Sequence, residues 1–301
     1  MINFLKNIAS SSPLVKKVLL PVYLLVGNII YWIYKILNLS FSYQLLDKTK
    51  INIFPKGQIA KGIFWGGFEK KELEIFQSLL TPASVMIDAG ANIGLYSIIG
   101  SKLVGIEGKV YSFEPSKANF DLLSKNIELN HIKNIIPINK GLGDKIGETL
   151  ILSQNFETGD AEKYILKSEN KRTNTEILFN KIQLTETISL ETLDNFQLTK
   201  NLKKVDFLKI DVEGYEYYVL KGAEQLLKKN AEIIILFECA EHLASRAGST
   251  QTVVFSFLNK LGFEIVYWNE KEKKWSNNQA EAMKSGQLLG GRNIMNVLNN
   301  L

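Results

Sequence analysis

A chain of 301 residues with 46% hydrophobic and 22% charged residues has the composition of a folded protein, and its length suits one large α/β domain with an appendage or two small domains. The net charge of +5 is mild and comes with no Lys/Arg block or aromatic-interleaved basic stripe, so no nucleic-acid partner is expected. Cys239 is the only cysteine, which excludes an internal disulfide and a cysteine cage for a metal, and fits a reducing compartment.

The first 60 residues read as a hydrophobic, helical extension. Lys6, Lys16 and Lys17 precede Val18 to Tyr34, a run without charge that ends before Lys35. The bulky residues from Tyr31 to Leu37 supply no small-residue cleavage site, which argues against a secretory signal. A spanning helix needs about 20 apolar residues. Pro21, Gly27 and Asn28 interrupt this run, and lysines at both ends (Lys16 and Lys17 before, Lys35 and Lys48 after) leave its orientation open. Three readings stand for residues 14–39: a helix lying on a membrane surface, a single-span anchor, or a helix packed on its own domain or a second subunit. Ser40 to Pro82 is a connector punctuated by Gly57, Gly62, Gly66 and Gly67, with Phe64 and Trp65 as an apolar patch. Within it Glu69 to Leu80 has helical spacing, with Leu73, Phe76 and Leu80 on one face, and serves as a lid or as a cap on a sheet edge.

The stretch from Val85 to Gly94 is the centre around which the remaining elements are arranged. A short apolar run ends in Asp88 and breaks into Gly90, Ala91, Asn92 and Gly94, and helical periodicity starts at Leu95. Strand, tight turn and helix in that order form a nucleotide-binding crossover. Its small residues let backbone approach a ligand, and the helix start points amides at it. A dinucleotide site wants glycine at the middle of the turn to clear room for a pyrophosphate. Asn92 stands there and the third glycine is missing, so an adenosine cofactor without a pyrophosphate fits better. The next strand, Lys109 to Phe113, ends in Glu114 and Pro115, at the distance where an acid accepts from ribose hydroxyls. The plain alternative is an ordinary turn followed by a solvated glutamate.

Ser116 then caps a helix with Phe120, Leu123 and Ile127 at helical spacing, and Asn119 in its first turn either reaches a ribose or satisfies the helix end. A third strand, Ile135 to Asn139, leads into Gly141-Leu142-Gly143-Asp144, read as a second glycine turn. Asp144 there either accepts from an adenine amino group or closes the turn. Glu148 to Leu193 is a polar excursion with Leu150–Leu152 and Thr187–Leu190 as short strands and a polar middle from Ser153 to Asn174. It is expected to form an inserted hairpin or loop near an acceptor site.

The strand Phe207 to Ile210 delivers Asp211, Glu213 and Glu216 into a turn and a helix start. Glu216 reads as a partner of the helix dipole. Asp211 is placed to hold an ammonium group and Glu213 to face an acceptor. The helix is expected to continue through Val219, Ala223, Leu226 and Leu227. A fifth strand, Ile233 to Phe237, ends in Glu238, with His242 four residues on. These two are candidate general bases, or they pair with each other or with Arg246. His131 sits at a helix end, where a structural role is expected. Asp211, Glu213, Glu238 and His242 lack the spacing of metal ligands, and no metal is expected. Val253 to Leu261 reads as a helix, Glu264 to Trp268 as a strand and Arg292 to Leu298 as the final strand.

Four motifs in this order, Ile87-Asp-Ala-Gly-Ala-Asn-Ile-Gly94, Phe113-Glu-Pro115, Gly141-Leu-Gly-Asp144 and Leu208-Lys-Ile-Asp-Val-Glu-Gly-Tyr-Glu216, resemble the FkbM family of S-adenosylmethionine-dependent methyltransferases. The resemblance runs from about Gly62 to Val297 and implies, for residues 61–301, the class I methyltransferase (Rossmann-like) α/β fold. That fold is a seven-stranded mixed sheet with helices on both faces and an antiparallel last strand. The implied cofactor is S-adenosyl-L-methionine. Asp88, Gly90, Ala91, Asn92 and Gly94 would lie at its methionine side, Glu114 with Pro115 and Asn119 at the ribose, Gly143 and Asp144 near adenine, and Asp211 at the ammonium group. Gly141 departs from the family, which more often has alanine there. The implied reaction is methylation of a hydroxyl on a sugar, glycan, lipid-linked or natural-product molecule. For that reaction the residues themselves offer Glu213 or Glu238, with or without His242, to take the proton. The implied location is the cytoplasm, where the cofactor is made, with the inner face of a membrane left open by the extension. Two rival readings are a noncatalytic, membrane-attached protein that binds the same cofactor, and an NAD-dependent oxidoreductase.

Overall fold

The structure, a computed structural model, describes residues 13–44, 49–54, 57–65, 70–154, 162–165 and 182–300. These fall into two compact units, one running to Lys71 and the other starting at Glu72. Lys6, Lys48, Gly66, Gly67 and Glu69 lie outside the described residues.

The first unit has a long helix, α1 (Pro13–Ile36), an antiparallel hairpin of β1 (Phe41–Gln44) and β2 (Lys50–Ile53), and a short helix, α2 (Gly57–Trp65). Proline suits the first position of α1, where its missing N–H has no partner to lose. Ile51 and Ile53 of β2 are buried, two residues apart, as alternation along a half-buried strand requires.

In the second unit, α3 (Lys70–Leu79) precedes β3 (Val85–Ala89), α4 (Leu95–Val104), β4 (Lys109–Phe113), α5 (Lys117–Leu129) and β5 (Ile135–Ile138). A branch follows, made of β6 (Gly141–Leu142), β7 (Gly147–Gln154), β8 (Glu162–Ile165) and β9 (Ile182–Glu191). The chain then runs through α6 (Leu193–Thr199), β10 (Phe207–Ile210), α7 (Glu216–Lys221), α8 (Glu224–Lys229), β11 (Ile234–Glu238), α9 (Glu241–Arg246) and α10 (Gln251–Lys260). It ends with β12 (Glu264–Asn269), β13 (Lys274–Ser276), α11 (Gln279–Ala282), β14 (Gln287–Gly291) and α12 (Ile294–Asn299). The main sheet has the order β13-β12-β14-β11-β10-β3-β4-β5. Pairing is parallel from β11 through β5, while β14 runs antiparallel to both β11 and β12. Seven of these strands make the class I methyltransferase sheet, and β13 adds an eighth at the β12 edge.

The apolar runs of β3 and β10 follow from their position: each has parallel neighbours on both sides and is covered on both faces. Chain direction across the sheet reverses at β3, with β4 on one side and β10 on the other. Such a reversal leaves a crevice at the carboxyl ends of the strands. Phe76 of α3 is fully buried, its ring against Tyr96 at 5.1 Å and Phe207 at 5.4 Å, so α3 is part of the core and not a lid.

Several local expectations are corrected. The last strand is Gln287–Gly291, and 294–299 is helical because Ile294 and Leu298, four residues apart, bury one face. Gly141–Leu142 is a strand, paired in parallel with Leu190 and Glu191 of β9, and not a turn. The helix after β10 is two short ones broken at Gly222, yet Val219, Ala223, Leu226 and Leu227 are all buried as its stripe predicts. Among the described residues, the polar excursion supplies β7, β8 and β9, which join β6 in a sheet of order β6-β9-β7-β8 with a register shift between Ile151 and Leu152. Residues 155–161 and 166–181 of its middle lie outside the described residues. His131 follows α5 at a positive φ of 52°, a helix-end position.

Candidate functional site

Three loops meet at the carboxyl edge of the sheet. After β3, the turn passes through positive φ at Gly90 (82°), Asn92 (50°) and Gly94 (96°), and the amides of Gly90 and Ala91 donate to the Phe113 carbonyl at 3.0 and 2.9 Å. A Cβ on Gly90 would collide with the carbonyl oxygen of Asp211, so the turn lies directly on the end of β10. After β4, the nearly buried Glu114 carboxylate accepts from Asn92 N–H at 2.8 Å and from Ser116 N–H at 2.9 Å, tying the two loops together. A carboxylate has about four lone-pair sites to share among its donors. Asn139, which the sequence did not single out, donates to the carbonyls of Glu114 and Pro115 at 2.9 and 3.0 Å and fixes that loop from the β5 side. Asn119 is half-buried in the first turn of α5. Ser116 occupies the N-cap of α5 without a side-chain capping bond; Glu186 of β9 instead takes the Lys117 N–H at 2.7 Å. Gly90, Ala91, Asn92, Glu114 and Asp211 are therefore brought together.

A buried charged network lies beneath this edge. Asp88 is fully buried and accepts from Ser97 Oγ at 2.6 Å, and Ser97 in turn bonds Ser112 at 2.7 Å. Its carboxyl thus ties β3 to α4. The Lys209 ammonium sits 3.1 Å from Asp211 and 3.8 Å from Asp88, 4.5 Å over the Tyr96 ring. Burial pushes the Asp88 carboxyl above its ordinary range and Lys209 pulls it back. Asp211 carries the exposed end of the network, with 38% of its side chain open to solvent. The signal for Lys209 was present as a lone lysine inside a buried apolar strand, which needs a paired charge.

The turn after β10 is strained and pinned. Glu213 and Gly214 take positive φ of 54° and 100°, and a Cβ on Gly214 would strike the Leu243 carbonyl. Glu216 is 2% exposed; its Oε1 accepts from Gly214 N–H at 2.9 Å, while its Oε2 is buried without a hydrogen-bond partner. This is more than a partner of the dipole of the six-residue α7. Burial, followed by the like charges of Asp211 and Glu238, pushes its carboxyl up to about 7. An acid raised in the folded state adds stability below its unfolded value and loses it as pH rises through the folded one. Wild-type stability should therefore fall between about pH 4.5 and 7 from this group. A Glu216→Gln variant should flatten that slope in urea titrations at pH 5, 6, 7 and 8; an unchanged slope would show that Glu216 ionises as freely as in the unfolded chain.

Glu238 is half-buried at the end of β11, and His242 is exposed on α9. At the far side of the edge, Gly143 N–H donates to the Glu191 carbonyl at 3.0 Å, and Asp144 pairs with Lys221 at 2.9 Å. Tyr215, also unforeseen, lies beside Gly143 and stacks on Tyr218 with centroids 4.4 Å apart. Burial first, then Asp144, holds its hydroxyl up at about 12. Among the described residues, no three His, Cys, Asp or Glu side chains converge as metal ligands.

Relatives were found by sequence and by structure. "Methyltransferase 1" of Beauveria bassiana is 26% identical over 147 residues, covering 47% of this chain and 59% of that protein. "Hexuronic acid methyltransferase AglP" of Haloferax volcanii is 27% identical over 169 residues, covering 54% of this chain and 61% of that protein. The matches thus span about 60% of the length of these curated relatives. The crystal structure of methyltransferase FkbM from Methylobacillus flagellatus aligns over 77% of this chain and 52% of that one, with 14% identity and a TM-score of 0.40. The family profile described as the methyltransferase FkbM domain matches residues 88–265, from the buried aspartate of β3 to the start of β12. With more than half of its length matched, the chain belongs to the FkbM methyltransferase family.

Proposed function

We propose that the unit beginning at Glu72 transfers a methyl group from S-adenosylmethionine to a hydroxyl of a sugar, glycan or natural-product acceptor, in the cytoplasm. The observation that carries this reading is the convergence of the Gly90 turn, Glu114 and Asp211 on one sheet edge, inside the residues matched by the family. What supports the cofactor is the donor and acceptor set at this edge: the Gly90 turn lies on the end of β10, Glu114 sets a carboxylate beside that turn, and Asp211 offers another to solvent. When bound, the cofactor supplies an electrophilic methyl group on a sulfonium. Gly90, Ala91, Asn92 and Gly94, with Asp88 below, position its methionine side. Glu114 with Pro115 and Asn119 accepts from the ribose hydroxyls, Gly143 and Asp144 border the adenine, and Asp211 holds the ammonium group. Glu213 or Glu238, with His242, takes the acceptor's proton, the part of the reaction that a positioned base contributes. The hexuronic acid named for one relative supports a sugar acceptor.

Calorimetry with S-adenosylhomocysteine and with NAD tests the cofactor, and only the former should bind. Glu114→Ala should weaken that binding at least tenfold. It should also cost about 1–3 kcal/mol of stability, because two loop amides lose their acceptor; a folded variant with unchanged affinity would remove Glu114 from the ribose. On a panel of sugars that includes hexuronic acids, full turnover by both Glu213→Gln and Glu238→Gln would exclude both as bases. Binding without turnover on any acceptor would favour a noncatalytic role.

A further inference from the structure

We propose that α1 lies in the plane of a membrane surface, with one face seated on its own unit and the opposite face in the acyl layer of the lipid. Tyr23, Gly27, Tyr31 and Tyr34 recur every three or four residues and so share one face of α1. That face is occupied. Tyr23 meets Trp65 at 5.8 Å, Tyr31 meets Phe64 at 5.2 Å and Tyr34 meets Phe41 at 6.3 Å. A Cβ on Gly27 would collide with the Trp65 ring, so the glycine lets α2 close against the middle of the helix.

The opposite face is bare and wholly apolar. Val22, Leu25, Ile29, Trp32, Ile33 and Ile36 are all exposed, Leu25 at 61%, Trp32 at 62% and Ile36 at 58%. Contiguous exposed apolar surface of this extent marks an interaction site. Leu19–Ile36 is long and apolar enough to cross a membrane, but its packing argues against a span. α2, with an exposed Lys61, is seated at the mid-length of α1. An exposed lysine at that depth has no place in hydrocarbon.

Charge points to the same occupant. No acidic residue lies between Pro13 and Ile36, while Lys17, Asn28 and Lys35, about three and two turns apart, fall on one flank of the helix. Exposed lysines on the flank of an in-plane helix reach anionic headgroups while the aliphatic face enters the acyl layer. A second copy of α1 would offer no acid to pair with these lysines.

Flotation of the full chain tests the proposal, using vesicles of phosphatidylethanolamine and phosphatidylglycerol against vesicles of phosphatidylcholine alone. The wild type should float with the anionic vesicles. The Leu25→Glu/Ile29→Glu double variant should lose at least tenfold of that binding while keeping its affinity for S-adenosylhomocysteine. Lys17→Gln/Lys35→Gln should lose the preference for anionic lipid. A wild type that does not float, or that sediments as a dimer dispersed by the double variant, would overturn the proposal. For depth, the chain is made by cell-free translation beside sealed vesicles and treated with protease. An N-terminal tag should be digested together with the rest of the exposed chain, and a protected tag would show a span instead.

Discussion

Gly90→Ala is expected to lower the melting temperature by roughly 10 °C and to remove S-adenosylhomocysteine binding. Two separate costs act at this position. The backbone sits at φ 82°, where a residue with a Cβ is strained by about 1–2 kcal/mol. The new methyl group also meets the Asp211 carbonyl oxygen, a backbone atom fixed by its own amide's 3.0 Å bond to Ala89. Overpacking of that kind typically adds about 1–3 kcal/mol, and each kcal/mol is worth about 2–4 °C in a domain of this size. Two controls separate the costs. Gly262 has nearly the same φ, 81°, with only Arg292 Nε at an ordinary 3.7 Å, so Gly262→Ala carries the strain alone. Gly222 has an ordinary φ of −75° but would strike the Gly143 carbonyl, so Gly222→Ala carries the collision alone. Thermal melts of the three variants decide the matter. A Gly90→Ala protein that melts like Gly262→Ala would mean that the turn and β10 are not in contact.

Lys209→Met should cost about 3–5 kcal/mol at neutral pH, the usual consequence of removing one member of a buried ion pair. Methionine fills a similar volume, so the loss comes from Asp88, which stays fully buried beneath the turn with the Ser97 hydroxyl still donating to it. Without the lysine, burial drives the Asp88 carboxyl further upward than in the wild type. A raised acid stabilises the fold below its unfolded value and loses that contribution as pH rises through the folded one. The variant should therefore recover part of its deficit as pH falls from 8 to 5. Adding Asp88→Asn removes the stranded charge, and the double variant should be more stable at pH 8 than Lys209→Met alone. Urea titrations of the four proteins at both pH values complete the cycle. Strictly additive losses would show that Asp88 and Lys209 do not depend on each other.

Much of the fold was legible because its signals are local. The apolar run of β3, the small residues of the turn and the periodicity of α4 are adjacent in sequence, and the acid closing β4 follows at a fixed distance. What escaped depends on partners remote in the chain. Lys209 looks like an intruder in an apolar strand until Asp88 and Tyr96 are brought beside it. Glu216 has the sequence of a plain helix start, and only the packing around it hides one oxygen from water and from every donor. Gly141 and Leu142 look like a turn, because the strand they pair with arrives from the far side of the insertion. At the carboxyl end, Gly290 and Gly291 weaken the strand signal of β14. The apolar spacing after them belongs to a helix, which displaced the expected strand by several residues.

The bond from Lys117 to Glu186 has a consequence for anyone redesigning this protein. Successive amides at the head of α5, those of Ser116 and Lys117, are satisfied by carboxylates from two different parts of the chain, Glu114 and Glu186. Removing Glu186 would uncap the helix that follows the β4 loop, so grafts and truncations of the insertion should leave Glu186 and the residues after it in place.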